Sequence, residues 1–212
     1  MESLFNLLAV ITHYALRIYE WIILIAIVIS WVHADPNNPI VSFLNRMTIP
    51  VWNAITRWLP PSLQLFSAYA SLLLVWFFRV LLPGTLFTLG LFLSGKVGVE
   101  GLVTRLLGYG LLALGVVAQN LVLFLILLLL IWFFLTLVNP SLNNPIVRTL
   151  YILVDPLITP VQSRLPRMRV DVSPLVVAGV CYAINLFLVS ALLEFGFELT
   201  QGGLRPLALD IF

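Results

Sequence analysis

Four apolar stretches, roughly 4–32, 66–93, 106–138 and 174–197, decide what this chain can fold into. Each is long enough to cross a hydrocarbon core, which takes about 20 mostly apolar residues as helix. Composition agrees: 61% of residues are hydrophobic, 9% are charged and the mean hydropathy is +1.09, against about 25% charged residues in soluble domains. The expected fold class is an all-α integral membrane protein.

The polar segments between the apolar ones are related to each other. Asn37-Asn38-Pro39-Ile40-Val41 returns as Asn143-Asn144-Pro145-Ile146-Val147, and the same shift of 106 residues carries Pro50 onto Pro156 and Leu59-Pro60 onto Leu165-Pro166. The chain is therefore read as two repeats, 1–93 and 106–198, joined by a hairpin at 94–105 and followed by a tail at 199–212. The third apolar stretch exceeds one perpendicular span at about 1.5 Å per residue. Gly108, Gly110 and Gly115 suggest a surface or re-entrant stretch before a span at about 117–138, and a fifth span over 98–117 is the competing reading.

Charge sets the expected orientation. The two repeat loops hold Arg46, Arg57, Arg148, Arg164, Arg167 and Arg169, and the opposite side holds Lys96, Arg105 and Arg205. Lys and Arg mark the cytoplasmic face, so both loops are expected in the cytoplasm and both termini outside. Four spans allow this and five do not. The repeats are then parallel pairs of helices, each with an amphipathic interfacial loop. Glu2 stands where a signal peptide would be basic, and no small-residue cleavage site follows, so the first helix is expected to stay.

Local signals fill in the loops. Asn38-Pro39 and Asn144-Pro145 each place a capping side chain before a proline at the first helical position. In the first loop two short helices are expected, with Ile40, Phe43, Leu44 and Met47 on one face, and Val51, Trp52, Ile55 and Trp58 on another after Pro50. That pattern suits a headgroup layer, with tryptophan at the boundary and Arg57 toward phosphate. The second loop is similar but interrupted by Pro156 and Pro160. Before the last span, Ser173 is placed to cap, Pro174 to occupy the first turn, and Asp171 to sit near the positive dipole end or pair with Arg167 or Arg169.

Ionisable groups inside a span are functional candidates because each is costly in hydrocarbon. Arg79 lies about 20 Å and Glu20 about 17 Å from the cytoplasmic ends of their helices, so they share a depth and can pair. Arg79 shifted by one repeat is Asn185, which adds a polar group at the inter-repeat seam where transporters place substrate. His13 and His33 lie about 30 Å apart along a helix and cannot share one haem within the same helix, which leaves a single-ligand site or one shared between protomers open. Ser30, Ser67 and Ser173 have no basic partner, no metal-ligand spacing is present, and Gly108-x-Gly110 in an apolar helix follows no strand. No enzyme activity, cofactor or metal is expected. Cys181 alone allows no internal disulfide.

The Asn-Pro pairs, the run Asp155-Pro156-Leu157-x-x-Pro160-Val161-x-x-Arg164-Leu165-Pro166 and the closing Asp171-x-Ser173-Pro174 resemble the YggT/YlmG family of small bacterial membrane proteins, which has chloroplast relatives. Both repeats match, the second more closely, since Asp171 and Pro174 fall on Leu65 and Ala68 in the first. The resemblance implies a multi-pass inner-membrane protein tied to envelope or osmotic stress, ion homeostasis or assembly of a membrane complex. From the basic loops and the small net charge of +2, the expected partners are membrane lipids and other membrane proteins or itself, with Arg57, Arg164, Arg167 and Arg169 making the contacts, and no nucleic acid. A small ion channel using Glu20, Arg79 and Asn185 is the alternative.

Overall fold

The computed structural model describes residues 1–32, 34–138, 144–164, 171–207 and 209. Among them the architecture is all helix: α1 (Glu2–Val32), α2 (Pro39–Trp58), a 3-10 turn (Pro61–Phe66), α3 (Ser67–Leu93), α4 (Val99–Val138), α5 (Pro145–Gln162), α6 (Ser173–Ile184), a π-turn (Asn185–Val189) and α7 (Ser190–Thr200). The last three form one rod over Ser173–Thr200, so α1, α3, α4 and this rod are four helices able to cross a membrane. They run up and down in sequence, which places α2 and α5 at the same end of the bundle. α1 packs on α3, α3 on α4, and α4 on α6 and α7, with α1 and the α6–α7 rod at the two ends of the series.

Two helix ends show how the turns are made. After α3, Gly95 takes φ 74°, its N–H donates to the Phe92 carbonyl and that of Lys96 donates to the Leu91 carbonyl. This is the pattern in which a left-handed residue satisfies the orphan carbonyls of a helix C-terminus. Gln201, at φ 53°, closes α7 in the same way.

The expected break at 98–117 is absent. α4 is a single helix of 40 residues beginning at Val99, so no re-entrant segment and no separate fifth helix forms there, and 94–98 is the non-helical turn between α3 and α4. Its glycines allow close packing. A Cβ on Gly108 would meet the Thr200 side chain at 2.7 Å, and one on Gly115 would meet Leu193 at 2.6 Å. On the other helix Gly196 faces Leu112 in the same manner, so small residues from both sides bring α4 and α7 together.

Both loop helices also stay whole. α2 passes through Pro50, and α5 through Pro156 and Pro160, where sequence suggested two pieces and an interrupted helix. All three prolines are exposed. Each removes one helical hydrogen bond, but on an exposed face the carbonyl that loses its partner can be solvated.

Candidate functional site

The candidate site begins in the middle of the first repeat, where α1 and α3 bury their polar groups against each other. Glu20 belongs to the α1 face that carries Ala9, His13, Ile23 and Ile27, all buried. Trp76 and Arg79 are three residues apart on α3, so both point at α1. The Trp76 indole N–H donates to one Glu20 oxygen at 2.8 Å, and the Arg79 guanidinium lies 3.4 Å from the other. Arg79 is 4% exposed. The pair foreseen from helix depth is thus present, with an indole donor added. Asn185, its repeat counterpart, opens the π-turn, which packs on α4.

Arg17 is absent from the sequence reading, although its spacing of three residues from Glu20 puts it one turn away on the same helix. It is half-buried and near enough to Arg79 for the two like charges to interact. The membrane interior of the first repeat therefore holds two arginines for one glutamate. A count of Lys and Arg within each apolar run would have found it.

The interfacial helices form the second part of the site. Asn38 and Asn144 each accept a hydrogen bond at 2.9 Å from the backbone N–H two residues on, Ile40 and Ile146, with Pro39 and Pro145 at the first helical positions. α2 turns Val41, Leu44 and Thr48 inward and leaves Ile40, Phe43 and Met47 exposed, so the apolar face expected on one side is divided between the bundle and the exposed surface. Trp52 and Trp58 part company as well. Trp52 donates to Ser71 Oγ at 3.0 Å, tying α2 to α3, whereas Trp58 is 90% exposed. Between the end of α2 and α3 lies an apolar groove of about 730 Å³, where Ala54 and Ala70 leave room beside Trp58, Leu74 and Phe78. A smaller cavity of about 410 Å³ lies beside Ser42, Asn45 and Arg46.

The remaining motif residues have structural partners. Asp155 accepts from Thr159 at 2.9 Å, and its hydrogen bond and charge push the Tyr151 phenol above its ordinary pKa. Asp171, not Ser173, caps the last span: its carboxylate accepts from the Ser173 N–H at 2.9 Å and from the Gln162 amide at 3.0 Å. Ser173 is the first helical residue and is buried beside Pro174. Pro60 is extended between α2 and the 3-10 turn. Arg57 and Arg164 are exposed. His33, Pro166, Arg167 and Arg169 lie outside the described residues. His13 is 1% exposed and meets Tyr14 edge-on, and among the described residues no three His, Cys, Asp or Glu side chains converge as metal ligands.

The repeat that organises this geometry also organises the comparisons. The CCB3/YggT family model matches twice, over residues 5–86 and 111–192, which is more than half of the chain. The chain belongs to the CCB3/YggT family. Relatives named "Uncharacterized protein YggT" from Escherichia coli strains K12, O6:H1 and O157:H7 are each 28% identical over 198 residues, covering 93% of this chain and 97% of theirs. No solved structure matches. In YggT terms, each matched segment holds one span, one interfacial helix and a second span. The end of α3, the turn after it and the first turns of α4 lie between the two matches.

Proposed function

We propose that this CCB3/YggT protein is a non-enzymatic scaffold of the cell inner (plasma) membrane, whose interfacial helices engage anionic lipid and other membrane proteins on the cytoplasmic side. Its role would be in envelope or osmotic-stress maintenance or in assembly of a membrane complex. The observation that carries this reading is the pairing of α2 and α5: two capped amphipathic helices at one end of the bundle, joined through contact of α5 with α1. Exposed Ile40 and Phe43 suit the acyl boundary, and exposed Arg57, Arg148 and Arg164 suit phosphate or acidic partner groups. Photocrosslinking in cells from positions 57 and 164, compared with position 96, tests it. Discrete protein adducts from the loop probes alone are the expected result; lipid or self adducts alone would remove the partner-assembly reading.

A second reading is supported by the buried charges of α1 and α3. An ion pathway using Glu20, Arg79 and Asn185 predicts flux in proteoliposomes that disappears in Arg79→Leu. Flux at the level of empty vesicles for the unmodified protein would eliminate it.

A further inference from the structure

Near the middle of the spans, Arg17 on α1 and Glu194 on α7 are charged side chains with no hydrogen bond or ion pair to another described residue. Arg17 is half-buried on the flank of α1, and Glu194 is exposed. They belong to the two helices that end the series. Neither charge is shared between the repeats, for the counterpart of Arg17 is Leu123 and that of Glu194 is Thr88. Each repeat carries its own charge on its own end helix.

The two edges match in depth. α1 meets α3 where Glu20 bonds Trp76. α3 meets α4 where Gly84 touches Tyr109, and α4 meets α7 where Leu112 touches Gly196 and Gly115 touches Leu193. Following these antiparallel registers from Arg17 leads to about Arg79, then Leu114, then Glu194. Arg17 also lies 15 residues from the start of α1, about 22 Å along the helix, so this level is well inside the hydrocarbon. A full charge there is costly unless it meets an opposite one.

We propose that copies of this chain associate side by side in the membrane, with Arg17 of one copy paired to Glu194 of the next. Every copy inserts with the same orientation, so one edge meeting the opposite edge of a neighbour is a heterologous contact, and rotation about the membrane normal closes such contacts into a ring. The surroundings are complementary. Tyr14, Ile18 and Trp21 flank Arg17 with large exposed side chains, while Ala191 beside Glu194 leaves room between Phe187 and Phe195. The unmatched arginine among Glu20, Arg79 and Arg17 thereby gains its carboxylate from outside the protomer.

Cysteine crosslinking in native membranes, in a Cys181→Ser background, tests this with both charges intact. Two differently tagged copies are co-expressed, one with Ile18→Cys and the other with Ala191→Cys, and oxidised with copper phenanthroline. The expected product is a mixed dimer, and a chain carrying both cysteines should give a ladder ending at one discrete size. Three outcomes overturn the proposal: equal dimer from Ile18→Cys copies alone, an internal crosslink within one chain, or no crosslink. Arg17→Glu and Glu194→Arg should each abolish the ladder, and their combination should restore it; a ladder unchanged by either swap overturns the charge pairing.

Discussion

Where the first repeat has Glu20, Trp76 and Arg79, the second has Ile126, Tyr182 and Asn185. The same exchange recurs at other contacts between the helices. Trp31 donates to the Tyr69 hydroxyl at 2.9 Å, and the matching residues are Leu137 and Leu175. Trp52 bonds Ser71, and the matching Ile158 and Val177 are buried in one apolar cluster. Tyr19 donates to the Met47 carbonyl at 3.0 Å, where the second repeat has Leu125 and Leu153. Two copies of one backbone plan are thus fastened differently, the first by polar clasps and the second by aliphatic contact. In lipid the difference matters, because apolar surface gains little on leaving lipid for protein, whereas directed hydrogen bonds fix partner and register. The first repeat should be the more sharply specified half, and the second, with a π-turn in its last span, the more adjustable.

The largest expected effect lies at Arg79. Arg79→Leu takes the buried cation from half-buried Glu20 and should destabilise the protein by up to about 3–5 kcal/mol, the usual cost of breaking a buried pair from one side. Asn185→Leu at the matching site should cost under about 1 kcal/mol, since Asn185 is only half-buried. Unfolding in mild detergent followed by circular dichroism measures both. Equal losses would break the comparison. The double change Glu20→Gln with Arg79→Leu should recover much of the loss.

Next comes Gly84, which is Ser190 in the second repeat. A Cβ at Gly84 would lie 2.3 Å from the ring of Tyr109, which is fully buried. Gly84→Ser should therefore cost about 1–3 kcal/mol as overpacking. Gly110 has nothing within 4 Å of its added Cβ, so Gly110→Ala should be neutral or stabilise by up to about 1 kcal/mol through helix propensity. Comparing the melting of the two variants separates a packing glycine from a tolerated one on the same helix pair.

A transplant tests the clasp directly. Ser71→Val alone leaves the Trp52 indole N–H without its acceptor and should cost about 1–3 kcal/mol. Adding Trp52→Ile recreates the pair used by the second repeat and should return part of that loss. A double-mutant cycle read by denaturant unfolding gives the coupling. Coupling near zero would mean that the bond at 3.0 Å is incidental to how α2 docks.

What could be read before the structure was whatever depends on hydropathy, spacing and local hydrogen bonding. Four spans, the repeat, the capping asparagines and the depth shared by Glu20 and Arg79 all follow from such rules. What could not be read depends on neighbours and exposure. Pro50, Pro156 and Pro160 look like helix ends until their exposed faces are known. Gly108 and Gly115 look like a break until α7 is laid against them. Trp52 and Trp58 share an expected face in sequence and separate because Ser71 draws one of them inward. Asp171 takes the capping role from Ser173 because Ser173 is already inside the helix.

The smallest effects should fall where the repeats agree. Asn38 and Asn144 cap α2 and α5 with the same bond at the same length, both are exposed, and both precede a proline. Asn38→Ala and Asn144→Ala should each cost about 1 kcal/mol or less, and by similar amounts, because nothing about the cap depends on the clasps further along. Amide exchange in the first turns of α2 and α5 is the suitable readout, since such a loss appears as local fraying before it appears in global unfolding. Faster exchange confined to the mutated helix would place the divergence of the repeats beyond the caps, in the contacts between helices. Fraying of both helices from either substitution would mean that α2 and α5 are stabilised as one surface, and the two repeats would then have to be treated as a single interfacial unit.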